Sequence, residues 1–169
     1  MFRYFESSPM LSQGVLLALN AGGEINEVDR ACRKVTTKDG MPDVSSWFSA
    51  WTELGDLLIE QADADLRKRR KLSAAHKIRR ACVYYGLGER YIPHTDDRKA
   101  RTYAKMRAAF RRYIELSAQP VEFVEVPYEG GQSLPALFVP AAVRGTVPTV
   151  IFIREDGTHF VAYSLEGGP

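Results

Sequence analysis

The sequence predicts an α/β chain in two parts, an N-terminal helical bundle followed by a short, incomplete β-sheet. Three observations carry that prediction. Composition changes near Ala118–Pro120: Ala, Arg, Lys and Leu, all good helix formers, dominate before it, and Val, Phe, Ile, Pro and Gly after it. Charge changes at the same place, with 21 basic and 15 acidic side chains over residues 1–118 and 2 basic and 6 acidic over 119–169. Apolar residues recur at helical spacing in the first part and in short runs bounded by Gly and Pro in the second. The expected domains are therefore 1–118 and 119–169.

The first helix is expected over about residues 10–20. Its apolar run Gly14–Ala21 is short and follows Glu6, so it reads as a packed helix and not as a secretory signal. Gly22-Gly23 breaks the chain, and a weaker helix follows from Asn26 to Val35, with Ile25, Val28 and Cys32 inward. Pro42 marks a turn, and Asp43 or Ser45 can cap the next helix. That helix places Trp47, Trp51, Leu54, Leu58 and Ala62 on one stripe. A further run from Ser73 puts Ile78, Cys82 and Tyr85 on one face; Ala74, Ala75 and Ala81 allow close helix packing, and Gly86 and Gly88 are expected to weaken or end it. The last helix, Asp97–Ser117, carries Tyr103, Met106, Phe110, Tyr113, Ile114 and Ser117 inward and Arg and Lys outward.

In the β part, Val121–Val126 mixes apolar and acidic residues as an exposed edge strand does. A turn at Tyr128–Gln132 leads to a second strand, Leu134–Val139, ended by Pro140, so the pair reads as a hairpin. Val147–Ile153 is apolar on both faces and reads as a central strand. It runs into the polar loop Arg154–Thr158, the kind of strand end where α/β sheets handle ligands. Phe160–Pro169 leaves room for a turn of helix only, so the sheet reads as unfinished.

Several function classes are excluded as expectations. A chain of 169 residues with 26% charged residues and a mean hydropathy of -0.25 is neither disordered nor membrane-spanning, and no window approaches the ~18 consecutive apolar residues of a spanning helix. Cys32 and Cys82 lack any partner Cys or His at ligand spacing, so no metal and no disulfide is expected; reduced, buried thiols fit a cytoplasmic protein. The run Arg67-Lys68-Arg69-Arg70-Lys71 could meet a polyanion. With a net charge of +2 and no nucleic-acid-binding signature, it reads as the solvated end of a helix, where cations complement the dipole. No nucleic-acid and no membrane partner is expected, and His76 and His94 read as surface or hydrogen-bonded residues and not as catalytic bases. The aromatic residues Trp47, Trp51 and Tyr85 are candidates to line a pocket for a flat substrate.

Beyond these patterns, the sequence resembles α/β-hydrolases with an N-terminal helical cap. These include 2,6-dihydropseudooxynicotine hydrolase, fungal yellowish-green polyketide-shortening hydrolases and the esterase-like fermentation-respiration switch proteins. The resemblance is carried by Gly22-Gly23-Glu24 with Glu27-Val28, Asp43 with Ser46-Trp47-Phe48 and Ala50-Trp51, Ser73-Ala74, Arg80-Ala81-Cys82, Tyr84-Tyr85 and Phe110. The β half adds Val126–Gly130, Leu134-Pro135, Pro148-Thr149-Val150 and Asp156-Gly157-Thr158. No block is specific alone; the signal lies in their joint order along nearly the whole chain.

The resemblance implies that residues to about 118 form the cap and the rest the first strands of the hydrolase core. It also implies a serine nucleophile on a G-x-S-x-G elbow, with Asp and His after it. None of Ser45, Ser46, Ser49, Ser73, Ser117, Ser133 and Ser164 has glycine at both −2 and +2. No catalytic residue is therefore expected in this chain, and by the family pattern the elbow, acid and base would lie beyond Pro169.

The loop after the third predicted strand would supply an oxyanion-hole amide, with Arg154, Glu155, Asp156 and Gly157 as candidates. The sequence departs from the pattern there: Arg154-Glu155 stand where relatives commonly carry glycine, and His159 where Glu is frequent. The implied full-length activity is hydrolysis of an ester or an activated C–C bond in a small aromatic or polyketide-like molecule, without a cofactor. The chain alone would be inactive and, with an open strand edge, would self-associate. The alternative reading is a non-catalytic helical interaction module; no ~34-residue repeat supports it.

Overall fold

In the computed structural model of the protein, residues 3–142, 150–153 and 160–164 are described, the last two stretches as backbone alone. The chain divides into two compact units, Met1–Ser117 and Ala118–Pro169. The first contains five helices, α1 (Pro9–Asn20), α2 (Ile25–Cys32), α3 (Val44–Arg67), α4 (Lys71–Glu89) and α5 (Asp97–Ser117), and a small ribbon of β1 (Thr37–Lys38) and β2 (Met41–Pro42).

The helices start where local chemistry satisfies their free amides. Ser8 Oγ accepts from Leu11 N at 3.3 Å and Pro9 opens α1, where its missing N–H costs nothing. Asp43 caps α3 by accepting from Ser46 N at 2.8 Å. Gly22, at φ 91°, turns the chain between α1 and α2 in a conformation L residues avoid. The β1–β2 ribbon, absent from the sequence reading, closes through Asp39-Gly40 with both residues at positive φ (52° and 76°), the two-residue turn that hairpins favour.

The core lies along α3 and α4. Trp47, Trp51, Leu54, Leu58 and Ala62 are all buried, as their spacing predicts, and they meet Ala74, Ile78, Ala81, Tyr84 and Tyr85 of α4. Two expectations need correction. Gly86 and Gly88 do not end α4, which continues to Glu89. A Cβ at Gly88 would lie 2.9 Å from Thr52 Cγ2, so close approach to α3 outweighs the helix-weakening tendency of glycine. Ile25 is 67% exposed and not inward, because it opens α2 directly after the surface turn at Gly22–Glu24; Val28 and Cys32 do face the core. On α5, Ala109, Ile114 and Thr102 are buried, while Arg101, Lys105 and Arg107 stand outward.

Gly55 gives a direct test of this packing. A Cβ there would come 2.6 Å from Tyr85 Cε1, and the ring is held by its hydroxyl donating to Asp56 Oδ1 at 2.6 Å. Gly55→Ala is expected to destabilise the chain by about 1–2 kcal/mol, because overpacking exceeds the gain in helix propensity. Thermal or urea unfolding measures this, and a stabilised variant would refute the close contact.

The second unit contains β3 (Glu122–Pro127), β4 (Ser133–Pro140), β5 (Val150–Ile153) and β6 (Phe160–Ser164) in the order β3-β4-β6-β5. β3 and β4 form the antiparallel hairpin expected, with Val124 opposite Ala136, closed by a turn in which Gly130 and Gly131 take φ of 67° and 75°. β4 and β6 run parallel, and β5 and β6 antiparallel. The predicted central strand is thus an outer strand of the described order. The reason is β6: Phe160-Val161-Ala162-Tyr163, read as a helical turn, has the β-branched and aromatic content of a strand and takes the inner place.

Candidate functional site

The aromatic candidates on α3 and α4, Trp47, Trp51 and Tyr85, all belong to the buried core of the helical unit. Trp47 and Trp51, a turn apart on α3, have ring centroids 5.1 Å apart; Trp51 lies 5.5 Å from Tyr84, and Trp47 5.6 Å from Tyr91. Trp47 and Trp51 are 0% exposed and Tyr85 3%. Trp47 Nε1 donates to the carbonyl oxygen of Leu87 at 2.8 Å, tying α3 to the end of α4. Trp51 Nε1 is buried without a hydrogen-bond partner among the described residues. Burial and the hydrogen bond to Asp56 push the Tyr85 hydroxyl far above its ordinary range, so it stays protonated; Lys105 Nζ sits 5.7 Å over its ring and also binds Asp56.

Tyr84 anchors a second set of partners. Its hydroxyl donates to Glu27 Oε2 at 2.6 Å and accepts from Glu24 N at 3.0 Å. Arg80 grips the same Glu27 carboxylate through Nε at 2.8 Å and Nη2 at 3.0 Å, a fork that matches carboxylate geometry. α2 is thereby bolted to α4.

A pocket of about 340 Å³ opens at the start of α3, lined by Lys34, Asp43, Ser45, Ser46, Ser49, Ala50 and Glu53. Trp47, Trp51 and Tyr85 are not among its lining residues. Ser46 is committed to structure there: it donates to the Asp43 carbonyl at 2.8 Å and accepts from Thr36 N at 2.9 Å. Lys34 pairs with Glu53 at 2.9 Å. His76 and His94 are exposed, and neither is hydrogen-bonded to a serine through its ring among the described residues. Burial pushes both Cys32 and Cys82 thiols up to about 12, which makes them poor nucleophiles at neutral pH. Among the described residues no group of three His, Cys, Asp or Glu is set to hold a metal ion. The candidate oxyanion-loop residues Arg154, Glu155, Asp156 and Gly157 lie outside the described residues, as does His159.

At the junction of α3 and α4, Asp65 accepts from Ser73 Oγ at 2.8 Å and from Lys77 Nζ, with Arg70 Nη1 at 3.8 Å. The hydrogen bonds from Lys77 and Ser73 hold its carboxyl below the usual carboxylate range. A carboxyl depressed on folding stabilises above its unfolded pKa of about 3.9 and loses that contribution as the pH falls through the lower native value. Urea unfolding of wild type and Asp65→Asn is therefore expected to show a difference at neutral pH that shrinks as the pH falls below about 4. A difference independent of pH would exclude this role.

No protein-family model matches the chain. It is 30% identical over 157 residues to alpha/beta hydrolase xenA of Xenoacremonium sinensis, covering 89% of this chain and 36% of that protein. It is 35% identical over 130 residues to alpha/beta hydrolase psoB of Aspergillus fumigatus, covering 73% and 28%, and 27% identical over 143 residues to hydrolase ORFZ of Pyricularia oryzae, covering 79% and 33%. The chain spans about a third of the length of the curated relatives it matches. The order of blocks along this chain and the names of these relatives support assignment to the α/β-hydrolase family, as the counterpart of an N-terminal portion of its members.

Proposed function

We propose that Met1–Ser117 is the cap of an α/β hydrolase and Ala118–Pro169 the leading strands of its core sheet, in an enzyme that hydrolyses an ester or activated C–C bond of a small aromatic or polyketide-like molecule. The observation that carries this reading is the match of 89% of the chain to an α/β hydrolase, running through both units. The substrate class rests on the family resemblance. In such an enzyme a cap excludes water and shapes the pocket. Trp47, Trp51 and Tyr85 enter the proposal as the aromatic frame of that cap. Their burial supports a role in setting the spacing of α3 and α4, and through it the pocket.

The loop Arg154–Gly157 is proposed to present the oxyanion-stabilising amide, with Arg154-Glu155 in the place of glycine. Residues 1–169 carry no G-x-S-x-G, so acyl transfer needs a serine from outside them. A fluorophosphonate probe is expected to leave the 169-residue chain unlabelled and to label one serine of a gene product that contains this chain with an elbow motif. Labelling of any serine in residues 1–169 would overturn the proposal.

A further inference from the structure

The α3–α4 turn presents a concentration of positive charge that neither the core nor the proposed hydrolase role uses. Between Leu66 and Gly88 the sequence holds eight Lys or Arg and no Asp or Glu. Lys77 is taken up by Asp65 and Arg80 by Glu27. Arg67, Lys68, Arg69, Arg70 and Lys71 are all exposed, and the one ion pair they make among the described residues is Arg70 with Asp65 at 3.8 Å. Arg69 takes a φ of 58°, a left-handed conformation within the short turn between the end of α3 at Arg67 and the start of α4 at Lys71.

Directly after the five cations stands Leu72, at 73% exposure the most exposed large apolar side chain among the described residues. One turn further along α4 are His76 and Arg79, exposed on the same stripe.

We infer that this turn docks the protein peripherally on an anionic lipid surface, with the cations on headgroup phosphates and Leu72 in the acyl boundary. Charge complementarity alone would suit any polyanion. Two features favour a lipid. Leu72 stands within the charge cluster, where an apolar side chain gains only if the partner offers an apolar interior. The patch also lacks an exposed aromatic on which bases could stack, since Tyr84 and Tyr85 of α4 face the core. No helix among the described residues is long and apolar enough to cross a membrane, so the contact is one of surface adsorption. It revises the expectation of no membrane partner, which rested on the lack of a spanning segment.

Co-sedimentation of the 169-residue chain with vesicles tests this. Binding is expected to vesicles of phosphatidylcholine with about a third phosphatidylserine, and to be lost on vesicles of phosphatidylcholine alone and at high salt. Each cation near such a surface is worth roughly a fivefold change in partitioning, so the variant R67Q/K68Q/R69Q/K71Q should bind at least about a hundredfold more weakly. Leu72→Ser should weaken binding about tenfold on its own.

All five positions are exposed, and unchanged thermal unfolding of each variant confirms that folding is intact. Absence of phosphatidylserine-dependent binding, or binding unaffected by the quadruple variant, would overturn the inference. So would binding to polyglutamate or an oligonucleotide of equal strength that is indifferent to Leu72→Ser, which would assign the patch to an acidic polymer instead.

Discussion

Trp47→Ala is expected to lower the unfolding free energy of the protein by about 3–5 kcal/mol, the range for deleting a fully buried large aromatic side chain. Trp47 contacts the rings of Phe5, Trp51 and Tyr91, which belong to three different segments of the helical unit. Its indole also supplies the hydrogen bond to Leu87 that fastens α3 to α4. A Cβ at Gly14 of α1 would lie 3.0 Å from the Trp47 ring, tighter than an ordinary contact, so the ring also packs closely on α1. Domains of this size are stable by about 5–15 kcal/mol, so this one change removes a large share of the total.

The hydrogen bond can be separated from the packing. Trp47→Phe loses a ring and the bond to Leu87, whereas Trp51→Phe loses a ring and a donor that has no partner among the described residues. Trp47→Phe is therefore expected to cost about 1 kcal/mol more than Trp51→Phe. Urea denaturation followed by circular dichroism measures both. Equal costs would show that the Leu87 contact contributes nothing net.

The stripe Trp47–Ala62 was legible because an amphipathic helix writes its buried face into the sequence at a fixed period. The same logic located α4 and α5 and the β3–β4 hairpin, whose turn residues are local signals. It failed where the deciding contact is distant. Gly86 and Gly88 look like helix breakers until Thr52 and Met106 are seen against them. β6 looks like a remnant until its parallel pairing with β4 is known, since parallel partners lie far apart in sequence. The Asp39-Gly40 turn did carry a signal, the most favoured two-residue hairpin turn, but its flanking strands are too short to show alternation.

Of the site, the serines without glycine at both −2 and +2 could be read outright, because a nucleophile elbow is a local motif. The fate of the aromatic residues could not. Periodicity says that Trp47, Trp51 and Tyr85 share a buried face, and nothing in it distinguishes a wall of a pocket from the middle of a core. The partners of Glu27 were equally hidden. Glu27, Arg80 and Tyr84 stand in separate blocks of the family pattern, and one-dimensional spacing gives no reason to join residues 53 and 57 positions apart.

That junction supplies the other large expected effect. Glu27→Ala should destabilise the protein by about 3 kcal/mol, because it strands the Arg80 guanidinium, whose side chain is 16% exposed, and removes the acceptor of the buried Tyr84 hydroxyl. Glu27→Gln keeps the shape and one acceptor oxygen, so its cost should be about half as large.

The cost of Glu27→Ala comes mostly from what is left behind and less from any large net attraction of the pair, since desolvating two charges offsets much of their mutual gain. It follows that removing both partners should hurt less than removing one. Glu27→Leu with Arg80→Met replaces the pair by apolar groups of similar length and is expected to be more stable than Glu27→Ala alone. A strictly additive result, with the double variant as unstable as the sum of its single changes, would mean that Glu27 and Arg80 act independently and that α2 is held to α4 by the packing of Val28 and Cys32 instead.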